Sequence, residues 1–549
     1  MKFLDEQTGN SIGFNQIWSE INTHSPLGQS IKSNSTPFLS NNSDELEVEL
    51  NNLDIIIEQI KNNKKLFSNI ESILRGLKDI RRTITITRNK KTILDDIELF
   101  EVKENLIKIG KIRTILENIH LENFFKEELY NLTDLLKYLS IGQGTSNSFY
   151  LSNEYDPLLA DIRSERKKLE NQLLEYKRKL SSDLEKLAKR PLSIDGEITV
   201  DKNDSDLIEL FKESNLLTLI RENFASLTFK LIENEKIVNY KNEISKIKAK
   251  EEKQKQLIRK KVTDKIAEYS LKILSNLNNI AYLDFMIAKA RFSIKINGVR
   301  PEISEDDKIE IQSGRHLLVE EELKNRGMEF QAVDIKVKRG STLITGPNMG
   351  GKTVNLKMIA LLIAMSQYGL FVPAKRMVFK PRNYIYFSLT TDNIKSGLSK
   401  FGSEIVALKD IINLADQKAL ILIDEIAHGT NPREGYAIAH SIIKKLDEKN
   451  SISVITTHFE RLASTLDLKH LQVRGLNQSL LQKYTKSIKN DRIDILNKCM
   501  DYSLENVSSE TKIPYDAIKV AKVLGFDQEI LNNAENIIKN DLGLNGGDF

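Results

Sequence analysis

A single cysteine, Cys499, stands in 549 residues. No intrachain disulfide framework can therefore staple the fold, and a reducing compartment suits the chain. No uninterrupted apolar stretch reaches the roughly 20 residues that span a bilayer. The start, Met1-Lys2-Phe3-Leu4-Asp5-Glu6, has no apolar core of signal-peptide length. These absences predict a soluble cytoplasmic protein with no membrane partner. An excess of one charge is also missing, because 81 Lys and Arg face 77 Asp and Glu for a net charge of +4. Bulk electrostatics then neither demand nor exclude nucleic acid. There is no aromatic-rich basic face to favour base stacking, and no repeat of solenoid period. The length itself suggests roughly three or four domains.

What is present centres on Leu343 to Thr353, Leu-Ile-Thr-Gly-Pro-Asn-Met-Gly-Gly-Lys-Thr. A short β-prone run, Ser341 to Thr345, leads into Gly346, and Gly351-Lys352-Thr353 opens a segment of helical period. This is the phosphate-binding pattern G-x-x-x-x-G-K-[ST] in strand–loop–helix context. Gly346, Gly350 and Gly351 let the backbone curl and aim N–H groups at phosphate oxygens. Lys352 supplies a charge for β and γ phosphates, and the Thr353 hydroxyl can ligate Mg²⁺. The helix that begins here adds its positive end. The pattern predicts ATP and Mg²⁺ held by Gly346, Pro347, Asn348, Met349, Gly350, Gly351, Lys352 and Thr353.

Downstream, Ala419-Leu420-Ile421-Leu422-Ile423-Asp424-Glu425 is an apolar run ending in two carboxylates. A buried strand there delivers Asp424 to the Mg²⁺ shell and places Glu425 to polarise the attacking water. The run Ile452 to Thr457 ends at His458, where a switch histidine can sense a γ-phosphate. Ser399 precedes a helical pattern from Gly402 to Leu414. A hydroxyl and free N–H groups there suit either an ordinary helix cap or a phosphate.

Elsewhere the first forty residues are mostly polar, with loops at 33–37 and 40–43, and Ser43 reads as the cap of a helix starting near Asp44. From there to about Ala290 the pattern is helical, as in Leu53, Ile56, Ile57 and Ile60. Ile162, Leu169, Leu173, Tyr176 and Leu180 fit a heptad seam. A second charged helix runs from about Asn242 to Leu277, with a turn at Ser193–Glu197 between the two. Two long helices flanking a small insertion suggest a hairpin arm. Its lysines interleave with Glu165, Glu170, Glu175, Glu251 and Glu252, which fits a solvated coiled-coil surface. DNA contact by the arm stays open. From about Phe292 short apolar runs alternate with helices, an α/β signature. The patterns Pro514–Leu524 and Gln528–Lys539 follow, and 545–549 should fray.

Together these motifs resemble the MutS family of ATP-binding-cassette-like ATPases. The likeness runs through Gly314-Arg315-His316, the loop Thr345 to Thr353, Gly369-Leu370-Phe371-Val372-Pro373-Ala374, Asp424-Glu425 with Gly429-Thr430, and Thr457-His458. It implies an ABC-type P-loop ATPase domain of α/β fold over 291–480. It also implies an N-terminal segment over 1–43, a helical core over 44–160 and a coiled-coil clamp arm over 161–290. A C-terminal helical, dimerising segment fills 481–549. Glu425 and His458 would be catalytic, Asp424 and Thr353 would hold the metal, and Ser399 would be the signature serine reaching the other subunit's nucleotide. Phe330 looks like the adenine-contacting aromatic. The implied protein is a homodimer or paralogue heterodimer that closes on DNA in repair or recombination. Reactivation of an adenosylcobalamin-dependent aminomutase is the alternative.

Two positions depart from the family pattern: Ala427-His428 replaces Gly-Arg, and Ser399-Lys400-Phe401-Gly402 replaces Ser-Thr-Phe-Met. No Gly-x-Phe-Tyr-Glu reading wedge precedes Asp44, and the chain ends before a C-terminal Smr nuclease domain would fit. A short member without either module is the expectation.

Overall fold

The structure, a computed structural model, describes residues 2–542 apart from 89–91, 122–123, 126, 144–148, 194–195, 215, 348–349, 389–399, 428–429, 460, 486–495, 497 and 509–515. The chain divides into two compact units, Met1–Arg75 with Ala281–Phe549, and Gly76–Ile280.

In the second of these, local chemistry sets where helices begin. Asp95 and Glu98 form a reciprocal capping box at the start of helix Asp96–Asn118. Asp156 caps Pro157–Ala188, with Pro157 in the first turn, where its missing N–H is harmless. Asn234 caps Glu235–Glu268 through the Ile237 amide at 3.0 Å. These two helices, 32 and 34 residues long, each run about 50 Å at 1.5 Å per residue. They pair antiparallel, since Arg163 and Arg166 reach Glu251 while Tyr176 meets Asn234.

Ile162, Leu169, Leu173, Tyr176 and Leu180 are all half-buried, whereas Leu174 between them is exposed. The second helix buries Ile237, Ile244, Ile247, Ile258 and Val262. Glu251 occupies the same stripe, seven residues from both Ile244 and Ile258. The two arginines answer its buried charge.

Between these helices in sequence lie β1 (Glu197–Asp201), β2 (Leu217–Glu222) and β3 (Ser226–Leu231), antiparallel in the order β1-β3-β2. Helix Ser205–Glu213 sets Phe211 on their apolar face of Ile198, Val200, Leu217, Leu227 and Phe229, joined by Leu184 and Ala188. At the turn before β1, the Gly196 amide donates to the Ser193 carbonyl at 2.9 Å. Ile194 and Asp195 lie outside the described residues.

Among the described residues the other unit holds ten strands in two sheets. They are β4 (Glu302–Ile303), β5 (Lys308–Gly314), β6 (Val333–Lys338), β7 (Gly340–Thr345), β8 (Arg376–Phe379), β9 (Tyr384–Ser388), β10 (Ala419–Ile423), β11 (Ile452–Thr456), β12 (Lys469–Leu476) and β13 (Met500–Asn506). The smaller sheet has the order β4-β8-β5-β6 and the larger β13-β12-β7-β11-β10-β9. In the larger sheet β9, β10, β11, β7 and β12 are mutually parallel, and β13 closes one edge antiparallel. Every residue of β7, β10 and β11 is buried, the unbroken apolar reading that a parallel strand covered on both faces requires. Helix Lys352–Gln367 is buried nearly all round. Lys400–Leu414, Pro432–Asp447 and Arg461–Leu466 pack with the strands around Leu343, Ile421, Ile423 and Ile455.

The polar first forty residues, which show no periodic signal, form helices Glu6–Ser11, Phe14–Ser19 and Pro26–Asn34. Tertiary contacts decide this. Phe14 and Trp18 gather around Tyr368 at ring separations of 4.8 and 4.9 Å, and buried Asp284 accepts the His24 and Ser25 amides. The helix expected near Asp44 is Ser43–Asn62, but Asn42 occupies the cap position with no side-chain bond. The Ser43 hydroxyl instead donates to the Ser40 carbonyl. That helix and Lys64–Arg75 pack within this unit. The C-terminal helices are Asp516–Leu524 and Gln528–Leu542, while Pro514 and 545–549 fall outside the described residues. Among the described residues no helix is long and apolar enough to cross a membrane.

Candidate nucleotide site

Because β7, β11 and β10 are neighbours and parallel, their carboxyl ends lie along one edge of the sheet. The phosphate-loop sequence leaves β7 at Thr345, Asp424 and Glu425 leave β10, and Thr457 and His458 leave β11. Ligands of open parallel sheets bind at this edge.

Glycine is required at two places in the loop. Gly346 has φ +139°, and a Cβ there would stand 2.9 Å from Val473 Cβ of β12. Gly351 has φ +80°, and a Cβ there would stand 2.9 Å from the Tyr502 ring on β13. The loop is thus cradled from β12 and β13, with left-handed backbone at its last glycine. The Lys352 ammonium is buried and donates to the Gly346 carbonyl at 2.7 Å, with Pro347 O at 3.4 Å. Burial pulls its pKa below the usual lysine range, and the charges of Glu425 and Asp424 oppose that shift.

Thr353 opens the buried helix and donates its hydroxyl to Asp424 Oδ2 at 2.7 Å. Thr456, the last residue of β11, donates to Asp424 Oδ1 at 2.8 Å and accepts the Glu425 amide at 2.8 Å. Glu425 and Ala427 both hold positive φ, +53° and +58°, an uncommon backbone for residues with a Cβ. The turn is held by Thr456 on the Glu425 amide and by Glu404 Oε1, which accepts the Ala427 amide at 2.8 Å. In this turn the Glu425 carboxylate meets His458 Nε2 at 3.1 Å. Strain at a turn presenting a carboxylate is the arrangement that functional sites retain.

The residues present fit Mg²⁺. Two oxygens 2.7 Å apart, from Thr353 and Asp424, suit adjacent corners of an octahedron with bonds of about 2.0–2.1 Å. One carboxylate plus nucleotide phosphates is how that ion is usually held. Among the described residues no group of three or more His, Cys, Asp or Glu side chains could hold a metal by itself.

The sequence-predicted residues Gly346, Pro347, Gly350, Gly351, Lys352, Thr353, Asp424, Glu425 and His458 therefore meet along one sheet edge. Asn348, Met349 and Ser399 lie outside the described residues, as do His428 and Gly429. Phe330 is half-buried. Its neighbour Gln331 donates to Asp501 at 2.8 Å and accepts the Tyr502 amide at 2.9 Å, tying that segment to the strand whose tyrosine covers Gly351. Arg315 instead holds Glu320 and the Ile296 carbonyl. Gly369, at φ +67°, ends the buried helix against Lys289 and Glu49.

Sequence reading missed Thr456, Val473, Tyr502 and His470, whose Nε2 stands 2.7 Å from the Thr345 hydroxyl. Only the position of Thr456, two residues before His458, could have signalled any of them. The others act through strand order.

Known proteins share this arrangement of sequence. The sequence model of MutS domain V matches residues 342–541, from within β7 to the last helix. A protein of Geobacillus sp. named Endonuclease MutS2 is 26% identical over 485 residues, 85% of this chain and 57% of that one. The Endonuclease MutS2 of Halothermothrix orenii is 36% identical over 234 residues, 42% of this chain and 28% of its own. The Putative endonuclease MutS2 of Bacillus subtilis is 26% identical over 483 residues, 84% and 57% of the two chains. Against the first and last of these relatives the chain spans a little over half of their length. The domain match includes the phosphate loop, Asp424, Glu425 and His458, and the relatives extend the likeness through most of the remaining chain, which is thus similar to proteins of the MutS family.

Proposed function

We propose that this protein binds and hydrolyses ATP with Mg²⁺ and uses the cycle to close a dimeric clamp on DNA. The observation that carries the nucleotide chemistry is the meeting of Lys352, Thr353, Asp424, Glu425 and His458 at the carboxyl ends of β7, β10 and β11.

Glycine amides and the helix start at Lys352 would receive the β and γ phosphates. Lys352 would exchange its loop carbonyl for phosphate oxygen. Thr353 and Asp424 would hold Mg²⁺, which when bound supplies neutralising charge to the phosphates. Glu425, its amide fixed by Thr456, would orient and polarise the attacking water, with His458 beside it as a γ-phosphate sensor. Ser399 would reach the nucleotide of a second subunit, and Phe330 would meet the adenine.

The paired helices Pro157–Ala188 and Glu235–Glu268 would form the clamp arm, and Lys246, Lys248, Lys250, Lys253 and Lys260 are exposed along the second. DNA as the clamped molecule is supported by relatives named as endonucleases. Nothing comparable points to an aminomutase. The reading is tested by ATP and duplex-DNA binding across a salt series. Lys352→Ala should abolish nucleotide binding, and neutralising arm lysines should flatten the salt dependence of DNA binding. Unchanged nucleotide binding, or no DNA binding at low salt, would reject the corresponding half.

A further inference from the structure

Two threonine hydroxyls divide the Asp424 carboxylate between them, Thr456 donating to Oδ1 and Thr353 to Oδ2. Their settings differ. Thr456 ends β11 and is wholly buried, whereas Thr353 is exposed in the first turn of the helix after the phosphate loop.

Hydrogen-bond chemistry fixes which way the Thr456 hydroxyl turns. A hydroxyl carries one proton and two lone pairs. The Glu425 amide can only donate, so it takes a lone pair of Oγ1 and leaves the proton for Asp424. The Thr456 carbonyl accepts the next amide, that of Ile426, at 3.3 Å. One residue of β11 therefore grips Asp424, Glu425 and Ile426 in succession as the chain leaves β10. Offering Oδ1 to anything else would break a bond inside the protein, where an unmade hydrogen bond is costly. Thr353 is under no such constraint. Its exposed hydroxyl can turn its proton away and present a lone pair beside Oδ2.

This division bears on which cation fits. Mg²⁺ demands near-ideal octahedral geometry with short bonds, whereas the larger Ca²⁺ readily takes both oxygens of one carboxylate. A carboxylate that can present one oxygen suits the smaller ion. We propose that Thr456 sets the cation specificity of this site: by reserving Asp424 Oδ1 it leaves Oδ2 alone for a metal and favours Mg²⁺ over Ca²⁺. The inference rests on the nucleotide reading and deepens it, because it places the choice of metal on a positioning residue that is not itself a ligand.

The test measures binding of a fluorescent ATP analogue to the full chain in Mg²⁺, in Ca²⁺ and in EDTA. Wild type should bind more tightly with Mg²⁺ than with Ca²⁺. Thr456→Val, close to threonine in shape but without the hydroxyl, should lower that preference about tenfold, the scale that partners of ligating carboxylates carry. Thr456→Ala replaces it if the valine variant does not fold. Thr456→Ser keeps the hydroxyl and should keep the preference. Damage to the fold alone would weaken binding with both cations and in EDTA alike. The proposal is overturned by a wild type without Mg²⁺ preference, an unchanged preference in Thr456→Val, an equal loss for both cations, or a preference lost in Thr456→Ser as well. Failure of the nucleotide reading looks different: wild type would bind no analogue under any condition, or Lys352→Ala would bind it as wild type does.

Discussion

The Thr353 hydroxyl donates to Asp424 Oδ2 across 2.7 Å, although a whole strand, β11, separates β7 from β10 in the sheet. The contact exists because Thr353 lies in the first turn of the helix leaving β7 and reaches over the edge, while Thr456 on the intervening strand donates to the other carboxylate oxygen. Asp424→Ala should reduce ATP affinity in Mg²⁺ by tenfold or more, about 1.4 kcal/mol. It should change affinity in EDTA little. Titrations with and without Mg²⁺ check this, and an equal loss in both would remove Asp424 from the metal shell.

Gly351 should tolerate no side chain. Its φ of +80°, and the Tyr502 ring 2.9 Å from where a Cβ would stand, oppose alanine on separate grounds. Gly351→Ala should weaken ATP binding, and Tyr502→Ala added to it should recover only part, because relieving the clash leaves the backbone strain. Wild-type affinity for the single variant would contradict the cradle.

The site was more legible in sequence than its cradle. Gly346 to Thr353, Asp424-Glu425 and His458 announce themselves because each closes an apolar run with residues of defined chemistry. Val473 and Tyr502 were invisible because their role depends on β12 and β13 lying beside β7, a non-local choice that no local pattern encodes. The first 34 residues failed for a related reason. Phe14, Trp18 and Asp284 hold those helices through tertiary contacts rather than through periodicity. The long helices were readable from heptads, yet Glu251 read as surface charge and is buried.

Glu251 gives a stability prediction. Burial raises its pKa, but the hydrogen bond from Arg163 and the charges of Lys255 and Arg166 outweigh that, holding the carboxyl below its ordinary range. Glu251→Ala would leave two partly exposed arginines facing an apolar seam. It should destabilise the Gly76–Ile280 unit by about 1–3 kcal/mol, less than a fully buried pair would. Glu251→Leu, which fills the heptad position, should be milder. Urea melts followed by helical circular dichroism separate the two, and an unchanged midpoint in Glu251→Ala would contradict the pairing.

His316 predicts a pH dependence. Burial, helped by the nearby Lys357 charge, pushes its imidazole down to about 4. The folded state therefore favours the neutral ring. Its contribution is complete above the unfolded value near 6.5 and is lost as pH falls from there toward 4, by up to about 3 kcal/mol. Carboxylates held low, such as Asp96, weaken the fold in the same direction. The variant difference is therefore the diagnostic. His316→Gln should lose less stability than wild type between pH 7 and pH 5. Parallel curves would show that His316 titrates normally.

Single-turnover hydrolysis with Glu425→Gln tests the central claim most directly. The amide keeps the shape of a side chain whose backbone Thr456 fixes and whose carboxylate meets His458, but it cannot take up negative charge. Mg²⁺ and ATP should bind with near wild-type affinity while hydrolysis slows about 10²–10⁴-fold, leaving ATP trapped on the protein. Hydrolysis at the wild-type rate would contradict the assignment of this sheet edge as the catalytic site.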